Sequence, residues 1–172
     1  MNLAMVRHAE PERIESGTGI PANPQLTANG REQAARLADW LAGERVEVVV
    51  SSPQRRAIET AEPVARAHGL TVEVVDGLVE MDVQLDHYIP VEELKATNDD
   101  RWHAMVQGRF HDYGGEDPVL FRNRVAAAVD EIQSDDPRFV DAHFVGSFNG
   151  FPHHIEQGAA GVLGLVQRVS QH

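Results

Sequence analysis

The chain contains no cysteine, which excludes disulfide staples and thiolate metal centres. It is also poor in positive charge: 15 Lys and Arg stand against 27 Asp and Glu, leaving a formal charge of −12. Nucleic acid and anionic membranes both reward basic surface, so neither is an expected partner. No apolar stretch approaches the ~18 residues of a membrane span. The N-terminus lacks a basic region followed by an apolar run, so no signal peptide is expected. Internal repeats and low-complexity tracts are missing as well. These absences leave a cytoplasmic globular protein as the expectation. Its 172 residues suffice for one domain over 1–172 with a core that needs no staples.

What is present is an alternation of strands and helices. Leu3-Ala4-Met5-Val6 is a short apolar run that stops at Arg7-His8, and reads as a buried strand. Thr27 reads as an N-cap, followed by Ala34, Leu37, Ala38 and Leu41 at helical spacing and by Gly43 as terminator. Val46 to Val50 is a second strand by its β-branched composition. Ser51-Ser52-Pro53 then opens a helix that Pro63 is expected to kink or loosen. Thr71 to Val75 is a third strand. Asp117-Pro118 caps a helix with Phe121, Val125, Ala128, Val129 and Ile132 on one side. Residues 139–145 read as a last strand, and 155–169 as a closing helix weakened by Gly158, Gly161 and Gly164. Between Gln84 and Gly115 the pattern weakens, and 83–115 reads as a helical insertion over the active site. The alternation predicts an α/β fold, a three-layer sandwich with a mostly parallel central sheet and helices on both faces.

The polar residues that follow the strands suit one chemistry. Ligands of open α/β sheets collect outside the carboxyl ends of the strands. Arg7 offers a planar, permanently charged fork that matches phosphate oxygens. His8 offers a ring nitrogen that can accept a phosphoryl group. Arg55 and Arg56 fall near a helix N-terminus, which already favours anions. Glu80 follows the third strand. The bland alternative is a set of polar residues facing water.

The ordered motifs weigh against that alternative. Arg7-His8-Ala9-Glu10, Leu26-Thr27 with Gly30 and Gln33-Ala34, Ser51-Ser52-Pro53 with Arg56-Ala57 and Thr60-Ala61, and Gly114-Gly115-Glu116 resemble the histidine phosphatase superfamily. That group contains the cofactor-dependent phosphoglycerate mutases. The resemblance implies a phosphoglycerate mutase-like fold with His8 as the nucleophile that becomes a phosphohistidine. Arg7 and Arg56 would hold the phosphoryl oxygens, and their charges would disfavour protonation of His8. Glu80 would protonate the leaving oxygen and later activate water. Arg55 would face solvent. Neither a metal nor another cofactor is implied.

Residues 134–172 depart from the family pattern. The family carries a second histidine, usually before two glycines, at the end of the last core strand. Here Asn149-Gly150 puts Phe148 in its place, His143 takes the role after a shorter approach, or the pair His153-His154 does so. The leading expectation is a phosphomonoester hydrolase with His8, Glu80 and His143 as catalytic residues. The alternatives are a catalytically impaired phosphate-binding member and a phosphoglycerate mutase-type phosphotransferase. Acidic residues at 82, 86, 92, 93, 99 and 100 favour a small phosphorylated monoester over a highly anionic substrate. His87 and His103 are candidates for the substrate mouth, while His68 and His111 read as surface residues. The sequence is compatible with a homodimer and does not specify one.

Overall fold

In the computed structural model, residues 2–15, 19–135 and 163–167 are described. Among these residues four strands form one sheet: β1 (Asn2–Val6), β2 (Val46–Ser51), β3 (Val72–Val74) and β4 (Leu163–Gln167), in the order β1-β4-β2-β3. β2 and β3 are parallel, and β4 runs antiparallel to both β1 and β2. β1, β2 and β3 therefore point the same way, with β4 reversed between the first two.

The described residues form five α-helices, α1 (Ala28–Leu41), α2 (Arg55–Ala67), α3 (Val91–Ala96), α4 (Asp100–Val106) and α5 (Pro118–Asp135), of which α1, α2 and α5 pack on the sheet. Side chains alternate across a strand, so β2 feeds two separate cores. Val49 packs with Leu41 of α1 and with Ala57, Ala61 and Val64 of α2. Val48 and Val50 pack with Leu78 and with Val125, Ala128 and Val129 of α5. A break in register between Val46 and Val48 returns Val46 to the α1–α2 side. Helices thus cover both faces. Three layers result.

Capping works as the local chemistry requires. Thr27 Oγ1 accepts from Gly30 N–H at 2.9 Å and starts α1. Asp117 Oδ1 accepts from the N–H groups of Val119 (2.8 Å) and Leu120 (3.2 Å) and starts α5. α2 continues through Pro63 to Ala67.

One expectation needs correction. The closing helix over 155–169 is not formed at Leu163–Gln167, which is strand β4. Leu163, Leu165 and Val166 suit a strand hydrogen-bonded on both edges, and Gly164 is a poor helix former. The strand expected over 139–145 lies outside the described residues.

Candidate active site

β1 stops at Val6, and the next residues enter the space above the sheet's end. His8 is only 5% exposed. Its Nδ1 lies 2.7 Å from the carbonyl oxygen of Ala9. A carbonyl can only accept, so Nδ1 carries the hydrogen and Nε2 keeps its lone pair. Ala9 is fixed in turn: its N–H donates to Thr60 Oγ1 at 3.0 Å, and Thr60 Oγ1 donates to the Arg56 carbonyl at 2.7 Å. The end of β1 is thereby bolted to the first turn of α2.

Arg56 is fully buried. Its Nη2 donates to Asp82 Oδ1 and Oδ2, each at 2.9 Å, and lies 3.1 Å from Glu80 Oε2. The face of Tyr88 covers it, with the guanidinium carbon 4.6 Å from the ring centroid. Gln54 ties the same elements together. Its Nε2 donates to Asp82 Oδ1 (3.0 Å), and its Oε1 accepts from Glu80 N–H (3.0 Å). Glu80 therefore faces Arg56 with one oxygen and His8 with the other, since Oε1 stands 3.3 Å from His8 Nε2.

Several buried polar atoms here have no hydrogen-bond partner: His8 Nε2, Glu80 Oε1, Arg56 Nε and Nη1, and Ser52 Oγ. Of these, His8 Nε2 and Glu80 Oε1 face each other across 3.3 Å, and buried polar atoms of this kind carry a cost in free energy. Two guanidinium N–H sites beside a nucleophilic nitrogen suit an oxyanion.

Burial sets the protonation states. Desolvation lowers the His8 pKa to about 4, opposed by its bond to Ala9 and assisted by the charges of Arg56 and Arg7. The expected direction holds, but removal from water outweighs the two cations. Desolvation also raises Glu80 to about 7 against the pull of Arg56, with Asp82 adding to the rise. A neutral imidazole thus meets a carboxyl group poised to give or take a proton near neutral pH.

Arg7 stands at the same mouth but is engaged elsewhere. Its Nη1 donates to Glu92 Oε1 of α3 at 2.6 Å. Burial works against its charge, and the bond to Glu92 more than offsets this, raising its pKa. Arg13 pairs with Glu93 one residue along. Two arginines of the N-terminal segment therefore hold the first turn of α3.

Four of the five expected site residues are thus brought together: Arg7, His8, Arg56 and Glu80. His143 lies outside the described residues, as do Phe148, His153 and His154. Arg55 points away, to Glu59 (2.7 Å) and Gln25 (2.6 Å). His87 lines a cavity beside Glu80, whereas exposed His103 contacts Asn98. Sequence reasoning gave no site role to Gln54 or Tyr88, quoted Thr60 only within a motif, and counted Asp82 and Glu92 only among acids that disfavour a highly anionic substrate. For Asp82 a signal existed, a second acid two residues after Glu80. Tyr88 and Glu92 sit where the periodicity fails. Among the described residues, no group of three or more His, Asp or Glu is arranged to hold a metal ion. No helix there is long and apolar enough to cross a membrane.

An α/β sandwich with an Arg-His pair leaving its first strand and a buried carboxyl group opposite has the phosphoglycerate mutase-like architecture. The chain belongs to the histidine phosphatase superfamily (branch 1), whose family pattern matches residues 3–140. It is similar to phosphoserine phosphatase 1 of Hydrogenobacter thermophilus, with 33% identity over 77% of this chain and 64% of the relative. An uncharacterized protein of Mycobacterium tuberculosis is 41% identical over 75% of this chain and 64% of its own length. The chain thus spans 64% of each of these two relatives. Among solved structures, a mycobacterial glucosyl-3-phosphoglycerate phosphatase shares the fold, with a TM-score of 0.61 and 24% identity. That match covers 79% of this chain and 65% of the other.

Proposed function

We propose that this chain hydrolyses small phosphate monoesters through a phosphohistidine on His8. The observation that carries the reading is the lone pair of His8 Nε2, buried and unpartnered, 3.3 Å from the raised-pKa carboxyl of Glu80. Nε2 attacks phosphorus, forming a P–N bond as the P–O bond to the leaving alcohol breaks. Glu80 gives its proton to that oxygen. Arg56, through Nε and Nη1, and Arg7 take the developing charge on the phosphoryl oxygens. Glu80, now ionised, accepts a proton from water as the water oxygen attacks phosphorus and the P–N bond breaks. Inorganic phosphate leaves, and both groups return to their starting states. Membership of a phosphatase superfamily supports the reading. Incubation with a generic phosphate ester should give hydrolysis that His8→Ala abolishes; unchanged hydrolysis in that variant rejects it.

A second reading, a phosphate-binding member with little turnover, rests on the sequence: Asn149-Gly150 puts Phe148 where the resemblance calls for a second histidine, and a Phe side chain offers the phosphoryl group no donor. Loss of one preorganised donor costs roughly 10² to 10³ in rate. Vanadate binding without turnover on a panel of esters would support this reading, and rapid turnover would end it.

A further inference from the structure

A cavity of about 50 Å3 adjoins Glu80, enclosed by the segment 80–91, by α3 and α4, and by the turn that contains Phe110 and Tyr113. It shares two walls with the phosphoryl site. Glu80 faces His8, and Tyr88 covers Arg56. The rest is mainly apolar: Leu85, Ile89, Val91, Leu94, Met105 and Phe110.

The charged groups on the wall are already matched. Asp82 is held by Arg56 and Gln54. His87 Nδ1 lies 3.2 Å from Asp86 Oδ1. Arg101 donates twice to Asp99, at 2.8 and 2.7 Å. Apart from Glu80, which borders the phosphoryl site, a polar ligand entering here would lose water and meet charged groups that are already paired.

We propose that this cavity receives the hydrocarbon part of the leaving alcohol, making the preferred substrates monoesters of short apolar alcohols. The inference rests on the phosphatase reading, because the oxygen that Glu80 protonates must lie within its reach. The group attached to that oxygen then enters the space Glu80 borders. Size limits the occupant. One water needs ~10–15 Å3 of such space, so the cavity holds roughly three to five heavy atoms.

Phosphonates test this without requiring turnover, because their P–C bond is not an ester. The affinities of methylphosphonate, butylphosphonate and 2-amino-4-phosphonobutyrate are measured by calorimetry on the wild-type chain and on Met105→Glu. Three further methylene groups should tighten butylphosphonate roughly tenfold to fiftyfold over methylphosphonate. The amino acid analogue, which adds an ammonium and a carboxylate, should lose that gain. Met105 is partly exposed at the cavity wall, so a carboxylate there should weaken butylphosphonate more than methylphosphonate and erase the butyl preference. Equal binding of the methyl and butyl compounds, or tighter binding of the amino acid, overturns the inference. So does an equal loss for both alkyl compounds in Met105→Glu, or no phosphonate binding at all. The phosphatase reading fails separately, in the His8→Ala hydrolysis assay.

Discussion

A single guanidinium nitrogen of Arg56, Nη2, serves both oxygens of Asp82 at 2.9 Å each. Asp82 thereby offsets much of the charge that Arg56 presents to an anion, while its own charge raises the Glu80 pKa. Asp82→Asn keeps an acceptor and removes the charge. Glu80 should then ionise more readily, moving the alkaline limb of kcat/KM to lower pH. Inorganic phosphate should inhibit more strongly. An alkaline limb that stays in place would count against this coupling.

The two central groups fix the pH dependence. In the proposed mechanism turnover needs His8 neutral and Glu80 protonated, so kcat/KM should be bell-shaped, falling below about 4 and above about 7. Stability follows the same groups with opposite signs. Glu80 is raised from 4.5, so its contribution is full below that value and is lost as pH rises through about 7. His8 is lowered from 6.5, so its contribution is present above that value and is lost as pH falls through about 4. The two slopes oppose each other between pH 4.5 and 6.5. Glu80→Gln should leave the His8 slope alone, and urea denaturation of that variant should show stability dropping from pH 6.5 to 4.

Glu92 competes with any phosphoryl group for Arg7. The pair is partly exposed, with side chains 35% and 66% accessible, so water screens it. Release is worth ~0.2–1 kcal/mol, about 1.5- to 5-fold in affinity. Vanadate or phosphate should inhibit Glu92→Gln more tightly by that factor. Weaker inhibition would show that α3 orders Arg7 for the anion instead of occupying it.

Thr60 holds His8 indirectly, through the backbone of Ala9. Thr60→Val leaves the Ala9 N–H buried without an acceptor, at a cost of ~1–3 kcal/mol in denaturant unfolding. The same change should lower kcat more than it raises KM, since it disturbs the nucleophile and not the phosphate contacts. Thr60→Ser should recover both properties. A variant that loses stability yet keeps kcat would assign Thr60 to packing alone.

Features with local causes were legible in the sequence. Thr27 and Asp117 cap helices through bonds spanning two or three residues, and the apolar sides of α1 and α5 show in their spacing. His8 and Arg56 were legible because ordered motifs carry them, and Glu80 because it follows the third strand. The contacts that set their chemistry were not. Asp82 reaches Arg56 across 26 positions, and Glu92 reaches Arg7 across 85. Nothing in local spacing encodes such pairings. The direction of β4 was hidden for another reason: a short apolar run such as Leu163 to Val166 fits a strand or a buried helix equally well. The source of the His8 shift was misjudged because burial is a property of the whole fold.

The reversed strand has a consequence for how the protein is made. β1, which leads into Arg7 and His8, is joined to the sheet only through residues 163–167 among the described residues. Pairing Asn2 with Gln167 joins residues far apart in the sequence, a contact that forms slowly. Residues 163–167 leave the ribosome well after residues 2–6, so until they emerge the first strand lacks this ladder partner, and the segment carrying Arg7 and His8 waits for it.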